Sequence, residues 1–262
     1  MEVVIVRDRN EAGAVVGGAV ADLVGRRPEA VLGLATGSTP LPVYADLARR
    51  VASKELSLAH ARAFLLDEYV GLPPGHPEAY RAFVARELEA HVDLPAGAVQ
   101  GPDVMAEGRA LLEACDRYET AIRAAGGVDL QLLGIGTDGH IGFNEPGSSL
   151  ASRTRLKTLT DQTRRDNARF FASLDEVPRH VVTQGIGTIL EARHLVLLAF
   201  GPEKATAVAE AVEGPVAAMV PASALQLHPH ATVVVDEAAA GALRQAGYYR
   251  ETWSHKPSWQ GI

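Results

Sequence analysis

The sequence predicts an α/β fold: a doubly wound, mostly parallel sheet with helices on both faces, in a single domain of residues 1–262. Short apolar runs alternate along the chain with segments of helical periodicity, which is the pattern of strands connected by helices. Several runs are apolar throughout, as expected for strands buried on both faces of a parallel sheet. The predicted strands are residues 2–6, 30–35, 63–66, 129–135, 194–200 and 232–235, and the predicted helices include 11–25, 40–51, 107–125 and 203–213.

Composition and charge exclude several classes of protein. The chain has 262 residues, 47% of them hydrophobic, which is enough to bury the core of one large domain. Its 25 basic and 32 acidic residues give a net charge of −7, so we expect no nucleic-acid partner, although a local site could still hold one phosphate. No apolar run is long enough to span a membrane and the first residues lack a signal-peptide pattern, which favours a cytoplasmic protein.

The single cysteine, Cys115, cannot form an intrachain disulfide. It lies in a predicted helix among apolar and charged residues, so a buried structural thiol is favoured over a catalytic one.

Unusual polar residues follow four of the predicted strands. Ligands of open parallel sheets bind beyond the carboxyl ends of the strands, so we expect these four corners to converge on one crevice. They are residues 36–39, 67–68, 136–140 and 201–204.

The first corner, Ala35-Thr-Gly-Ser-Thr-Pro40, follows a buried strand and leads into a helix. Free backbone amides and three hydroxyls at a helix start could hold an anion, or the hydroxyls could simply cap the helix. The lysine of a nucleotide-binding P-loop is absent from this corner, which argues against nucleoside triphosphates.

The second corner places two carboxylates side by side, Asp67 and Glu68. Strand alternation would send them to opposite sides, so one could face the crevice while the other packs or caps a helix. A carboxylate of raised pKa suits removal of a proton next to a carbonyl. A solvated loop is the alternative.

The third corner, Gly134-Ile-Gly-Thr-Asp-Gly-His-Ile-Gly-Phe-Asn-Glu-Pro146, combines Asp138, His140 and Glu145 with four glycines. Histidine titrates near neutrality, so His140 is the best candidate for acid–base chemistry, with the flanking carboxylates orienting it. A structural turn is the alternative. The spacing matches no familiar zinc pattern, and the G-x-G-x-x-G match is weak evidence for a dinucleotide because the segment does not open a helix.

Composition distinguishes three further segments. Residues 67–77 hold three prolines and two glycines and are predicted to be a loop. The polar segment 147–160 could be surface, interface or the start of a mobile lid. The aromatic and polar tail, 247–262, could fray or dock onto a neighbour.

Taken together, the corners resemble the glucosamine-6-phosphate deaminase (isomerase) family. The related 6-phosphogluconolactonases share the Asp-Gly-His core but continue differently from Ile141-Gly-Phe-Asn-Glu-Pro146. The resemblance covers residues 33 to about 237 and is carried, in order, by residues 33–40, 66–72, 134–146, 152–160 and 225–229.

The resemblance implies a cofactor-free and metal-free enzyme that converts glucosamine 6-phosphate to fructose 6-phosphate and ammonia. Asp67 would move a proton between C2 and C1, and His140, held by Asp138 and Glu145, would assist opening of the sugar ring. A lid would lie within residues 147–190. The residues implied to hold the phosphate are Gly37, Ser38, Thr39, Arg169 and Lys204.

The resemblance also implies regulation and assembly. Some members are hexamers activated by N-acetylglucosamine 6-phosphate, so a homo-oligomer with such an effector site is expected. By the same resemblance, Tyr248 or Tyr249 would supply the family's tail tyrosine, although the tail departs from the family pattern. The matching effector residues are Ser148, Arg155, Lys157 and Thr158.

Three other functions remain as alternatives. A 6-phosphogluconolactonase would use the same fold for ester hydrolysis. A non-catalytic sugar-phosphate sensor would need a DNA-binding helix-turn-helix ahead of the domain, whereas the first predicted strand starts at Glu2. A nicotinamide-dependent oxidoreductase rests only on Gly134, Gly136 and Gly139.

Overall fold

The computed structural model describes residues 1–168, 171, 173–257 and 259–262 and has the predicted fold class. Its main sheet has seven strands, all parallel, in the order β1-β10-β9-β6-β2-β3-β5. All six predicted strands belong to it. The strands are β1 Glu2–Val6, β2 Val31–Leu34, β3 Arg62–Leu65, β5 Val99–Gln100, β6 Leu130–Gly134, β9 His194–Ala199 and β10 Ala231–Asp236.

Helices cover both faces of this sheet. The four predicted helices are present and four more are found. Two buried clusters, one on each face, form the core: one contains residues of α1, α2 and α3, and the other contains residues of α4 and α7. The helices are α1 Arg9–Arg26, α2 Leu41–Ala52, α3 Tyr80–Glu87, α4 Arg109–Ala124, α5 Asp161–Asn167, α6 Ile186–Ile189, α7 Ala205–Glu213 and α8 Ala246–Ser254.

The order of the strands reverses between β2 and β6. From β2 the chain proceeds outward through β3 to β5, and from β6 it proceeds the other way through β9 to β10. Such a reversal opens a crevice at the carboxyl ends of the central strands. The four polar corners follow β3, β2, β6 and β9, which are neighbours in that order, so they share one edge of the sheet as predicted.

A second sheet lies beyond this edge and corrects one prediction. Its three antiparallel strands are β4 Asp67–Val70, β8 His180–Thr183 and β7 Arg155–Thr158, in that order. The predicted loop 67–77 therefore begins as a strand, and the polar segment 147–160 contains one. Neither β4 nor β7 is a long apolar run, because the sheet is small and β7 lies at its edge.

The tail docks on the body of the protein as far as it is described. Helix α8 packs against β1, and Trp253 packs against the core cluster of α1 and α2. The Lys256 ammonium lies 2.6 Å from the Glu2 carboxylate. Among helices in the described part of the chain, none has the length and apolar character needed to cross a membrane.

Cys115 lies in α4 and is 4% exposed. Burial raises the pKa of its thiol. The prediction of a buried thiol is confirmed.

Candidate active site

The carboxylate of Asp67 is buried where the two sheets meet. Asp67 is the first residue of β4, pairs with Thr183 of β8, and is 5% exposed. Burial raises the pKa of Asp67 well above its usual value, and the neighbouring Glu68 charge adds to the shift. A carboxyl group with a raised pKa is a stronger base when ionised, so Asp67 is suited to accept a proton from carbon.

The neighbouring Glu68 points away and caps a helix. Its carboxylate accepts hydrogen bonds from the backbone N–H groups of Tyr69, Tyr80 and Arg81, at 2.8, 2.9 and 2.8 Å. The last two groups begin α3, where unpaired amides favour an anion. Burial raises the pKa of Glu68 although these bonds favour its ionised form. The two carboxylates thus have different surroundings, as strand alternation predicts.

The glycine-rich loop, residues 135–145, follows β6 and carries the other ionisable residues. Nδ1 of His140 lies 2.7 Å from Oδ1 of Asp138, and the backbone N–H of His140 donates to the same oxygen at 3.2 Å. The hydrogen bond from the imidazole lowers the pKa of Asp138 to about 2. Asp138 is therefore ionised at neutral pH and orients the ring.

Two glycines allow this loop to pack closely. A Cβ atom added at Gly136 would overlap the ring of His140. Gly142 has a positive φ of 56°, and a Cβ atom there would lie 2.9 Å from Oγ1 of Thr183 and 3.4 Å from Oδ2 of Asp67. The loop thus passes directly against the buried carboxylate.

Glu145 ends the loop and has a different partner from the expected one. Its Oε1 accepts a hydrogen bond from Oγ1 of Thr163, on α5, at 2.5 Å. Within the described ranges it has no hydrogen bond to His140, so only Asp138 holds the imidazole directly. The Thr163 contact joins the loop to the segment expected to form a lid.

The proposed phosphate loop lies beside this loop. Gly37, Ser38 and Thr39 connect β2 to α2, and Gly134 of β6 passes next to the Thr39 side chain. The backbone N–H groups of these three residues donate to no acceptor among the residues that the structure describes. Three amides at the carboxyl end of a strand, next to a helix start, provide donors for an anion.

The two cations predicted to bind the phosphate are Lys204 and Arg169. Lys204 ends the 3₁₀ turn Pro202–Lys204 after β9, directly before α7, and is partly buried. This places it at the predicted corner. Arg169 lies outside the described residues.

The four predicted effector residues do not form one surface. Ser148 is 5% exposed, and its hydroxyl has no hydrogen-bond partner in the described structure. Arg155 and Lys157 share a face of β7, whereas Thr158 projects from the opposite face. Nη1 of Arg155 donates to Oδ1 of Asn144 at 2.9 Å.

Three polar residues beside the site are buried, and the sequence analysis gave them no role. They are Thr183, Gln184 and Asn144, which are 0%, 1% and 0% exposed. Thr183 and Gln184 follow the apolar pair Val181-Val182. This polar pair after a short apolar run could have indicated a further corner of the site. The strand β8 was not predicted.

A cavity of about 260 Å³ opens at the opposite edge of the main sheet, where its strands begin. Its lining includes Arg26, Arg193, His194 and His230 and none of the predicted site residues. The crevice at the carboxyl ends therefore remains the candidate active site, on chemistry and on topology.

Comparisons with known proteins identify the family of the chain. The family described as glucosamine-6-phosphate isomerases/6-phosphogluconolactonase matches residues 10–235. A glucosamine-6-phosphate deaminase of Streptomyces avermitilis is 64% identical over the whole of both chains, and one of Mycolicibacterium smegmatis is 59% identical, also over the whole of both.

Solved structures show the same fold. A monomeric glucosamine-6-phosphate deaminase superposes with a TM-score of 0.89 at 41% identity, over 92% of this chain and 100% of that one. A 6-phosphogluconolactonase of Thermotoga maritima has a TM-score of 0.71 at 21% identity, over 90% and 98%, which is a likeness of fold. This chain therefore belongs to the family of glucosamine-6-phosphate isomerases and 6-phosphogluconolactonases.

Proposed function

We propose that the protein converts glucosamine 6-phosphate to fructose 6-phosphate and ammonia, as a step of amino-sugar catabolism. The observation that carries the proposal is that buried Asp67 lies against Gly142 of the loop that also presents His140. A base and an acid–base group at one crevice suit aldose–ketose isomerisation. The 59–64% identity to deaminases over the full chain favours this reaction over lactone hydrolysis.

Asp67 is the proposed base. Its ionised carboxylate would take the proton from C2 of the open-chain amino sugar and return it to C1, through an enolamine. The resulting C2 imine adds water, and the carbinolamine releases ammonia to leave the ketone of fructose 6-phosphate. Burial supports this role because a desolvated carboxylate binds a proton more strongly.

His140 is the proposed acid–base group for opening the pyranose ring. Opening needs a proton taken from the C1 hydroxyl and one given to the ring oxygen. With Nδ1 bonded to Asp138, the other ring nitrogen, Nε2, is free for this exchange. Glu145 belongs to the same proposed apparatus and would act from the lid side, where it bonds Thr163.

Gly37, Ser38, Thr39, Arg169 and Lys204 are the proposed phosphate ligands. Binding the phosphate at one end of the substrate would position C1 and C2 beside Asp67, so that remote binding energy lowers the barrier at the reacting carbons. The unpaired amides of the loop support this assignment.

Residues 147–190 are the proposed lid. They include β7, α5 and β8; Thr163 of α5 bonds Glu145 of the glycine-rich loop, and β8 pairs with β4, the strand of Asp67. Closure of such a segment would exclude water from the enolamine.

We propose further that N-acetylglucosamine 6-phosphate activates the enzyme and that the enzyme is a homo-oligomer, such as a hexamer. The buried Ser148 hydroxyl, which has no hydrogen-bond partner in the described structure, and the cations Arg155 and Lys157 on one face of β7 support a phosphate-binding effector site. The tail gives no such support, because the Tyr249 hydroxyl donates to the Glu213 carboxylate of its own chain at 3.3 Å. A 41% identical deaminase is described as monomeric, so assembly needs its own test.

The test is an assay of the purified protein with glucosamine 6-phosphate, measuring ammonia and fructose 6-phosphate with and without N-acetylglucosamine 6-phosphate, and 6-phosphogluconolactone hydrolysis in parallel. Ammonia matched by fructose 6-phosphate supports the deaminase. Lactone hydrolysis without ammonia would replace it with the lactonase.

A lower half-saturating substrate concentration with the effector, together with an oligomeric mass by analytical ultracentrifugation, supports the regulated assembly. An unresponsive monomer contradicts it.

A further inference from the structure

Asn144 is a fully buried amide whose side chain makes three hydrogen bonds. Nδ2 donates to the carbonyl oxygens of Ile141 at 3.0 Å and Gln184 at 2.8 Å. Oδ1 accepts from Nη1 of Arg155 at 2.9 Å. A guanidinium can only donate and a carbonyl can only accept, so the partners fix the orientation of the amide.

The acceptor residue Gln184 holds the chain just before Asp67. Its backbone N–H donates to the carbonyl of Leu66 at 2.9 Å, and its Nε2 donates to the carbonyl of Leu65 at 3.0 Å. Gln184 is 1% exposed, so these bonds are buried away from bulk solvent, where they are stronger. Asn144 and Gln184 therefore form an amide bridge between the glycine-rich loop and the strand of the proposed base.

A second bond runs in parallel. The backbone N–H of Phe143 donates to Oγ1 of Thr183, at 3.2 Å, and Thr183 is the residue paired with Asp67 across the small sheet. Phe143 and Asn144, at the end of the loop, are thus bonded to Thr183 and Gln184. These two residues lie at the end of β8, beside Asp67.

We propose that Asn144 is a positioning residue that, through Gln184, sets the separation of His140 from Asp67. The inference rests on the proposed deamination, in which both groups act on one substrate. The loop itself has many glycines and little intrinsic rigidity, so its position depends on bonds at its end. Misplacement of a catalytic group by about 1 Å can lower a rate about 100-fold.

The experiment is Asn144→Asp, which keeps the size of the side chain but replaces its donor with an oxygen facing two carbonyl oxygens. We expect kcat for glucosamine 6-phosphate to fall about 100-fold with KM changed less than about threefold, because the phosphate site is separate. The matched control is Gln226→Glu, since Gln226 also donates to two backbone carbonyls, those of Ala211 and Gly214, both at 2.9 Å. The control should keep its activity.

A double variant separates positioning from general damage. If Asn144 acts by placing His140, Asn144→Asp should lower kcat little further in the His140→Gln background. Losses that multiply, or an Asn144→Asp enzyme with normal kcat, would overturn the proposal. Should Asn144→Asp fail to fold by circular dichroism, Gln184→Glu removes the donor to Leu65 and carries the same expectations. An inactive wild type would instead refute the proposed function.

Discussion

Nδ1 of His140 lies 2.7 Å from Oδ1 of Asp138, and this contact determines which ring nitrogen faces away from the loop. The pKa of Asp138, lowered to about 2 by the hydrogen bond from His140, keeps the carboxylate ionised above about pH 3. An ionised carboxylate only accepts, so Nδ1 carries a proton and Nε2 is the ring nitrogen that can exchange a proton with the substrate.

Asp138→Asn tests this relationship. The amide can donate to Nδ1 and so favours the other tautomer, in which Nε2 is protonated and cannot accept a proton. We expect kcat to fall by about 100-fold or more, the usual scale of acid–base catalysis, with the fold intact. Asp103→Asn, at an exposed carboxylate paired with Arg117 at 3.4 Å, is the control. Steady-state rates decide, and an Asp138→Asn enzyme as active as the control would remove the orienting role.

Gly136→Ala tests the packing of the imidazole. The added methyl would overlap the His140 ring, so the ring must move from its place beside Asp138. We expect kcat to fall by about 100-fold or more, the usual scale of acid–base catalysis, with only a small change in the melting temperature. Gly25→Ala, where a Cβ atom meets nothing within 4 Å, should leave the rate unchanged. Normal turnover by Gly136→Ala would mean that the ring position is unimportant.

The raised pKa of Asp67 predicts that activity falls at low pH, whereas the stability of the folded state falls at high pH. Because burial favours the protonated carboxyl, kcat/KM should fall on acidification through a pKa well above 3.8. The same shift means that the folded state loses stability as pH rises through that pKa. Asp67→Asn should therefore raise the melting temperature at pH 8 more than at pH 5. Calorimetry at both values measures this, and a melting temperature lowered at pH 8 would contradict the burial argument.

Glu119 anchors the start of the proposed lid. Its Oε1 accepts from the backbone N–H and the hydroxyl of Thr154 at 2.8 and 2.6 Å and from Thr188 at 2.5 Å, and Oε2 pairs with Arg153. Burial opposes its ionisation, but the bonds from Thr154, Thr188 and Arg153 outweigh burial and lower the pKa of Glu119.

Glu119→Ala should lower the free energy of unfolding by about 3 kcal/mol, because it leaves buried donors without an acceptor. Glu191→Ala removes an exposed carboxylate from the same Arg153 and should cost less than about 1 kcal/mol. Urea denaturation measures both. The stabilisation by Glu119 should be present above about pH 4.5 and decline as pH falls through its lowered pKa; equal losses in the two variants would exclude an anchoring role.

The sequence predicted six of the seven strands of the main sheet, all but the two-residue β5, because these strands are buried and are therefore apolar runs. It did not predict β4, β7 and β8, since their pairing joins residues far apart in the chain, as Asp67 with Thr183, and a strand such as Arg155–Thr158 alternates polar and apolar residues at an edge.

The site divides in the same way. Asp67 and His140 could be proposed as site residues because their chemistry is visible in single residues at the ends of predicted strands. Asn144 and Gln184 could not, because their importance lies in hydrogen bonds between segments that only the folded chain brings together. Residue type alone does not distinguish such amides from surface ones.

The central claim, that Asp67 moves the proton at C2, is tested most directly by isotope exchange. Glucosamine 6-phosphate is incubated with enzyme in deuterium oxide, and NMR follows loss of the C2 proton, while calorimetric titration measures binding to the same variants. We predict that the wild-type enzyme exchanges the proton and that Asp67→Asn binds the substrate without exchange. Exchange by Asp67→Asn at the wild-type rate would contradict the assignment of the base.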